Sequence, residues 1–396
     1  MNIISKIKGC LALAVVAAGF AAWAATVPTD AQGFDYTTDG VTFLPGDYCV
    51  VDLTTGKVTE MKDVASAATF NTDDYKTTKM AFRYVPAGKF KANCAKTTSI
   101  KSLVSNDVAL SAYWIAVFPV TEAQYNAVMG GATTSVKPKV SISWNDFRGG
   151  TWDSWDGTYA NVPVPGAGTF VSNLNAKVAA AGCADMFDLC TSFQWERAAR
   201  AGTRTDYFFS DKTAAEFGSD DDFPDLWNYA WFAKNFPSIG VQNVGGKLPN
   251  AWGLYDVYGN AYEQCLDWHE GNAGLVKDKF LEDYAGASSN AYSNRVLRGG
   301  HYTSDAGKCS SVFRTYQKTS IVMDAGGFRL IRKPATSSDP SVVPAISAKS
   351  EKFTVDLRGE IALAKGAVTV AGVNYSDTAW GAVDAEPVKL GCTNET

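Results

Sequence analysis

The sequence predicts an α+β fold with low secondary-structure content, and two observations lead to this prediction. Only short segments have the alternating pattern of a strand or the capped pattern of a helix. Most of the middle of the chain is instead dominated by glycine, asparagine, aspartate and aromatic residues, with 11 tryptophans in all. We expect aromatic packing and side-chain hydrogen bonds to hold such long loops, because few helices or strands can pair their backbone groups.

A change of pattern at Met80 marks the start of the predicted main domain, residues 80–333. Residues 80–85 alternate as in a strand, and a Pro-Ala-Gly turn follows at 86–88. The pattern of 112–118 predicts a further strand.

Two helices are predicted in this domain. Thr121 has the character of an N-cap and begins the first helix. The second helix spans 193–200, with Thr191 or Ser192 as its N-cap and an end near Gly202.

The start of the chain, residues 1–24, has the features of a signal peptide. Lys6 and Lys8 supply the positive charge, residues 11–22 are apolar, and Ala-Trp-Ala at 22–24 fits a cleavage site. The apolar run is too short for a confident membrane span. We therefore expect a secreted, periplasmic or cell-envelope protein with no membrane span after signal removal.

The segments that flank the main domain are predicted to be small and rich in β-structure. Residues 25–79 form a leader with strands over 41–44 and 48–53. Residues 334–345 have the Ser, Pro and Asp content of a linker. Residues 346–396 form a small β appendage.

The charge of the chain limits its partners. A net charge of −5 argues against a nucleic-acid partner, which needs clustered lysine and arginine. No basic amphipathic run suggests a membrane surface, and no phosphate loop, zinc spacing or nucleophile elbow occurs.

Signal removal takes away Cys10 and leaves seven cysteines. An exported chain meets an oxidising compartment, so most of them are predicted to form disulfides. Because seven is odd, one can be free, bind a metal or pair with another chain. The connectivity stays open at this point.

Six short stretches of the main domain fit one pattern: 82–90, 119–125, 187–203, 249–263, 295–300 and 327–330. In this order and approximate spacing they resemble the formylglycine-generating enzyme (sulfatase-modifying factor) family. The resemblance implies that family's irregular, C-type-lectin-like fold, to which the small β-rich extensions at both ends would be added.

Arginine and glycine residues in these stretches have roles that follow from their physical properties. Arg298 and Arg329 are predicted to bridge loop carbonyls. Several glycines are predicted to mark sharp turns or close backbone approach, namely Gly253, Gly259, Gly299, Gly300 and Gly327.

The segment from Asp256 to Glu263 predicts a cation site. Two carboxylates with Gly259 and Asn260 between them suit a loop that wraps a hard cation. The resemblance implies Ca²⁺ bound by Asp256, Gly259, Ala261 and Glu263, with Gly259 and Ala261 acting through main-chain oxygen. The alternative is that the two carboxylates only cap turns.

Residues 299–309 bear on catalysis. In the resembled enzyme, two cysteines five residues apart follow a Gly-Gly-Ser sequence and hold Cu(I), which favours thiolates. Here His301 replaces the serine, Ser304 stands at the first cysteine position and Cys309 remains. A hydroxyl is a poor Cu(I) ligand, so copper is not expected. Cys309 is the candidate catalytic residue, a member of a Cys309–His301 copper site, or an ordinary core residue.

Iron enzymes that make ergothioneine share this domain and need several histidine ligands. This chain has two, His269 and His301, and their spacing supports no iron site. We interpret His269 as a surface residue beside Trp268.

Two functions remain. The first is a non-catalytic, calcium-stabilised binding scaffold that recognises an extracellular or envelope protein or a glycan, by analogy with variable ligand-binding proteins of this fold. Its recognition segment is 301–325, where small polar residues and tyrosine form an adaptable surface. The candidate ligand-binding residues are His301, Tyr302, Ser304, Asp305, Arg314 and Tyr316. The alternative is a copper-dependent oxidase of the formylglycine-generating type that acts on exported sulfatases.

Overall fold

The computed structural model describes residues 41–92, 106–150, 152, 162–210, 224–236, 240–269, 280–286, 292–333, 368–370 and 373–375. The predicted signal peptide and the linker at 334–345 lie outside these ranges. The chain divides into a unit of Pro28–Ile346 and a second unit, of which only a short hairpin is described. Among the described residues, no helix has the length and apolar character needed to cross a membrane.

The described elements are short, as the sequence predicts. The helices are α1 (Asp74–Thr77), α2 (Glu122–Met129), α3 (Trp144–Phe147), α4 (Phe170–Ala180), α5 (Ser192–Arg200) and α6 (Pro224–Tyr229), with 3₁₀ turns at Ala67–Phe70 and Ala306–Lys308. The strands are β1 (Gly46–Asp52), β2 (Val58–Val64), β3 (Lys79–Val85), β4 (Gly88–Ala92), β5 (Asn106–Leu110), β6 (Tyr113–Ala116), β7 (Met186–Leu189), β8 (Ala230–Trp231), β9 (Tyr258–Gly259), β10 (Tyr262–Trp268), β11 (Leu281–Glu282), β12 (Asn294–Arg298), β13 (Thr315–Lys318), β14 (Gly326–Gly327), β15 (Leu330–Lys333), β16 (Val368–Val370) and β17 (Val373–Tyr375).

Two sheets organise the main unit. The larger one has the order β2-β1-β3-β6-β15-β7, and all its neighbours are antiparallel. The second has the order β13-β12-β10-β14, with β10 and β14 parallel. Smaller sheets join β11-β5-β4 and β8-β9. The α+β prediction is confirmed.

The leader contributes strands to the larger sheet. β1 pairs with β3 through Cys49 and Phe82, so the segment before residue 80 extends the sheet of the main domain. The strand predicted over 41–44 is absent. The Leu44 N–H instead donates to the Ala251 carbonyl at 2.7 Å, which ties this segment to a loop rather than to a neighbouring strand.

Reciprocal caps explain where the two predicted helices begin. The Thr121 hydroxyl accepts from Gln124 N at 3.0 Å, and Gln124 Oε1 accepts from Thr121 N at 3.0 Å. Thr191 and Gln194 make the same pair of bonds at the start of α5. Each cap satisfies two backbone groups that a helix end leaves open.

Helix α5 lies in the interior and has no solvent face, because all nine of its residues are buried. Two of its charged residues, Glu196 and Arg200, pair with each other inside the protein, and Arg197 donates to the Pro86 carbonyl. Glu196 lies between Arg200, at 2.8 Å, and Arg298, at 2.9 Å. Helix α5 therefore lies in the core of the domain although it carries polar and charged residues. Strands β10 and β12 pack against it.

The prediction that Arg298 and Arg329 bridge loop carbonyls is confirmed. Nη1 of Arg298 donates to the carbonyls of residues 311–313 at 3.1–3.3 Å. Nη1 of Arg329 donates to Ala116 O and Val117 O, both at 2.8 Å. Both guanidinium groups are fully buried, so they take the place of water for loops that lack strand partners.

Aromatic packing around a third arginine also replaces regular structure. The guanidinium carbon of Arg295 lies 3.2, 3.9 and 4.1 Å from the ring centres of Trp268, Trp152 and Trp144. Cation–π contacts of this kind are worth more when the cation is desolvated, as it is here.

Candidate functional site

Glu263, one of the four predicted calcium ligands, is at the centre of a buried ion pair. Arg329 Nη2 lies 2.7 Å from its Oε1, and Arg329 Nε donates to Oε1 at 3.1 Å and Oε2 at 2.9 Å. Trp195 Nε1 donates to Oε2 at 2.7 Å. Each carboxylate oxygen thus accepts two hydrogen bonds, with the Arg329 Nε–H shared between the two oxygens. These contacts use all four acceptor positions of the carboxylate.

Asp256 is also held by protein donors. Its Oδ2 accepts from Gly245 N at 2.7 Å and its Oδ1 accepts from Asn260 Nδ2 at 3.3 Å. Burial raises the pKa of Asp256 to about 6, although the Gly245 N–H and Arg329 act in the opposite direction.

The predicted calcium segment therefore does not fit a Ca²⁺ shell in this arrangement. Ca²⁺ takes six to eight oxygen ligands, whereas Arg329 already supplies the positive charge that faces Glu263. Gly259 and Ala261 lie on and beside β9, in the same buried segment. The described part of the chain contains no cluster of three His, Cys, Asp or Glu side chains that could hold a metal. Calcium stays a prediction.

The turn after Gly300 brings part of the predicted recognition segment together. His301 N donates to the Ser304 hydroxyl at 3.0 Å, and Ser304 N donates to His301 O at 2.8 Å. The Ser304 hydroxyl also hydrogen-bonds to the Tyr262 phenol, whose pKa burial raises. Ser304 is buried, so its hydroxyl is engaged within this turn.

Aromatic rings surround this turn, and we call Phe236, Tyr262, His301 and Tyr302 the aromatic rim. The rings of Tyr262 and His301 have centres 4.7 Å apart, and those of Phe236 and Tyr302 are 5.6 Å apart. Burial and the nearby Lys308 lower the pKa of His301, so its imidazole is neutral at neutral pH. The rim is therefore an aromatic, partly exposed surface with an uncharged polar ring.

Asp305 and Lys308 lie at the outer side of the same turn. Asp305 caps the 3₁₀ turn by accepting from Lys308 N, and its carboxylate pairs with Lys308 Nζ at 2.7 Å. Both side chains are about half exposed, so this pair contributes little to stability and stays open to a ligand.

Cys309 is fully buried behind the turn. A Cβ atom on Gly300 would lie 2.8 Å from the Cys309 sulfur, so this glycine is required for the close approach. The thiol is near the phenols of Tyr207 and Tyr262. Ser304 and Cys309 are therefore both buried, and both act on the pKa of Tyr262, a member of the aromatic rim.

The other two predicted ligand-binding residues lie elsewhere. Tyr316 packs against His269, with tilted rings whose centres are 4.4 Å apart. His269 follows the last residue of β10, whereas Tyr262 is its first, and a strand of this length spans roughly 20 Å. The pKa of His269 is lowered to about 4, mainly by burial and also by the charge of Arg314. The segment 301–325 thus supplies two separate clusters.

Sequence reasoning missed Tyr262, Phe236 and Lys308. A signal for Tyr262 was present, because it precedes Glu263 in a strand and neighbouring strand residues point to opposite faces. No signal marks Phe236, which reaches the rim from a distant loop.

A cleft of about 460 Å³ was also not predicted. Its walls include Trp227 and Leu248, which are 45% and 51% exposed, together with Lys247 and Tyr255. Lys247 Nζ lies 3.9 Å from the Trp231 ring centre.

Asp267 offers a test of the electrostatics beneath the site. Both of its oxygens accept from Ser192 N, at 2.7 and 2.9 Å, and burial raises its pKa from 3.8 to about 6. The native state therefore binds the proton more tightly than the unfolded chain does. The stability that this group contributes is present at low pH and is lost as the pH rises from the unfolded pKa of 3.8 to the native pKa of about 6. Relative to Asp267→Asn, we expect the wild type to lose about 3 kcal/mol between about pH 4 and pH 7.

Urea unfolding of both proteins across this pH range measures the difference. The asparagine keeps an oxygen for Ser192 N and removes the titration. Parallel stability curves for the two proteins would contradict the raised pKa.

Comparison with known proteins identifies the family. The sequence profile of the sulfatase-modifying factor enzyme 1-like domain matches residues 66–334, which is more than half of the chain. The chain belongs to this family.

The chain is also similar to solved structures. Treponema denticola variable protein 1 is 23% identical, with a TM-score of 0.50 over 65% of this chain and 96% of that chain. PvdO from Pseudomonas aeruginosa is 19% identical, with a TM-score of 0.47 over 66% of this chain and 97% of that chain. The likeness to the first shows a shared fold, as predicted.

A curated relative matches over a shorter segment. Serine/threonine-protein kinase pkn1 of Chlamydia pneumoniae is 33% identical over 95 residues, which are 24% of this chain and 15% of that kinase. The chain thus spans a small part of that protein's length.

Proposed function

We propose that this member of the sulfatase-modifying factor family is an exported, non-catalytic binding protein. The observation that carries the proposal is the hydroxyl of Ser304 at the first copper-thiolate position of the family. That hydroxyl is buried and engaged by His301 N and the Tyr262 phenol. A hydroxyl in this state is a poor ligand for Cu(I), which favours two thiolates.

The aromatic rim is the proposed recognition surface, with Ser304 positioning its turn. The partly exposed rings of Phe236, His301 and Tyr302 provide contact area, and the exposed Asp305–Lys308 pair provides polar contacts at the edge. Aromatic residues with small polar neighbours form adaptable binding surfaces at low entropic cost. An extracellular or envelope protein or a glycan is the proposed ligand class.

Cu(I) titration tests the non-catalytic proposal. We expect no Cu(I) to bind the wild type in competition with a chromogenic chelator. Ser304→Cys restores a second thiol five residues before Cys309, and we expect it to bind one Cu(I). Thr303→Cys is the matched control, since it adds the same thiol at an exposed neighbouring position.

Stoichiometric Cu(I) on the wild type, lost on Cys309→Ser, would overturn the proposal. It would favour the alternative of a copper-dependent oxidase that acts on exported sulfatases.

A further inference from the structure

We propose that Cys190 and Cys265 form an intramolecular disulfide when the protein folds in the presence of a disulfide oxidant. In the structure both are thiols. The inference does not rest on the proposed binding function.

Backbone geometry places the two residues side by side. Leu266 N donates to Cys190 O at 2.9 Å. Ser192 N, two residues after Cys190, donates to both carboxylate oxygens of Asp267, which is one residue after Leu266. Cys190 is thus a partner in the first of these contacts, and Cys265 directly precedes Leu266, the other partner, so the two cysteines lie on adjoining, hydrogen-bonded segments.

The side chains meet inside the protein. Both cysteines are fully buried in one core cluster, where the neighbouring Cys190 thiol adds to the effect of burial in raising the pKa of the Cys265 thiol. Cys265 Sγ also lies 3.8 Å from Glu263 O. Two buried cysteines on adjoining segments, whose backbones are joined by the Leu266 N–Cys190 O hydrogen bond, are placed to approach the bonding geometry of a disulfide.

The other described cysteines have different surroundings. Cys49 contacts the guanidinium of Arg332, and burial raises its pKa to about 12. Cys183 is partly exposed. Cys309 is near Tyr207 and Tyr262, whereas the contact of Cys265 is with Cys190.

The chemistry is a thiol–disulfide exchange. The thiolate of one cysteine attacks a sulfur of the oxidant's disulfide, forms a mixed disulfide and releases one thiol. The second thiolate then attacks the protein sulfur of that mixed disulfide and releases the other thiol. The two cysteines lose two protons and two electrons, and the oxidant becomes two thiols.

The timing follows from burial. The pKa of the Cys265 thiol is raised well above its ordinary value by burial and by Cys190, so little thiolate exists in the folded protein. The bond is therefore expected to form during folding and to resist reduction afterwards. It joins β10, which carries Tyr262 and Glu263, to the segment that leads into α5, and so fixes the base of the aromatic rim.

Oxidative refolding tests the proposal. The reduced, denatured full chain is refolded with oxidised and reduced glutathione, its free thiols are blocked with N-ethylmaleimide in denaturant, and its peptides are mapped by mass spectrometry. We expect one linked peptide pair that contains residues 190 and 265. The same pair is expected in Cys183→Ser, the matched control.

Two results would overturn the proposal. One is N-ethylmaleimide on both Cys190 and Cys265 in the refolded wild type. The other is a linkage of either cysteine to glutathione or to a different cysteine. Since the wild type is mapped directly, the result does not depend on whether Cys190→Ser or Cys265→Ser folds.

Discussion

Glu263→Gln is expected to lower the free energy of unfolding by about 3–5 kcal/mol, because it leaves a buried guanidinium without its counter-charge. Arg329 is fully buried and pairs with both oxygens of Glu263. Glutamine has nearly the same shape, but its NH₂ group would face the N–H groups of Arg329 and Trp195. Urea unfolding at neutral pH, followed by tryptophan fluorescence, measures the loss.

An exposed ion pair provides the control. Lys62 lies 2.9 Å from Asp47, but its side chain is 62% exposed. We expect Lys62→Ala to change stability by only about 0–1 kcal/mol. Both variants are measured with a chelator present, so that a bound cation does not contribute. A loss below about 1 kcal/mol for Glu263→Gln would contradict the buried pair.

Gly259→Ala is the second substitution with a large expected effect, a loss above about 3 kcal/mol that combines backbone strain with a clash. Gly259 has φ +70°, and a Cβ atom there would lie 2.1 Å from the Trp231 carbonyl oxygen. The backbone cannot easily shift, because Gly259 N donates to Gly299 O and Asn260 N donates to Trp231 O, both at 2.8 Å.

Gly182→Ala separates the two causes. Gly182 has φ +89°, but a Cβ atom there would meet nothing within 4 Å. Its expected cost is therefore only the strain of a left-handed alanine, about 1–2 kcal/mol. Thermal and urea unfolding compare the pair, and equal losses would show that the contact with Trp231 is not rigid.

Much of the local structure could be predicted because its causes are local. Thr121 and Thr191 begin their helices through bonds to residues three positions later, so the pattern is visible in the sequence. The roles of Arg298 and Arg329 were predictable from their place among loops. The segment 41–44 was predicted wrongly, because the Ala251 carbonyl that binds Leu44 is remote in sequence.

The candidate site was predictable only in part. His301, Tyr302, Ser304 and Asp305 come together because they share one turn. Tyr316 does not join them, since it lies on the edge strand β13 of the second sheet, where its ring contacts His269.

The sequence by itself determined the family, the α+β class, the capped helices and the replacement of a thiol by Ser304. These depend on residue identity and on spacing along the chain. Only the tertiary structure decided that Glu263 pairs with Arg329, that Phe236 reaches the aromatic rim, and that Cys190 meets Cys265. Each of these contacts joins residues far apart in the chain, and its partner is selected by which groups can be buried together with charge and hydrogen bonds satisfied.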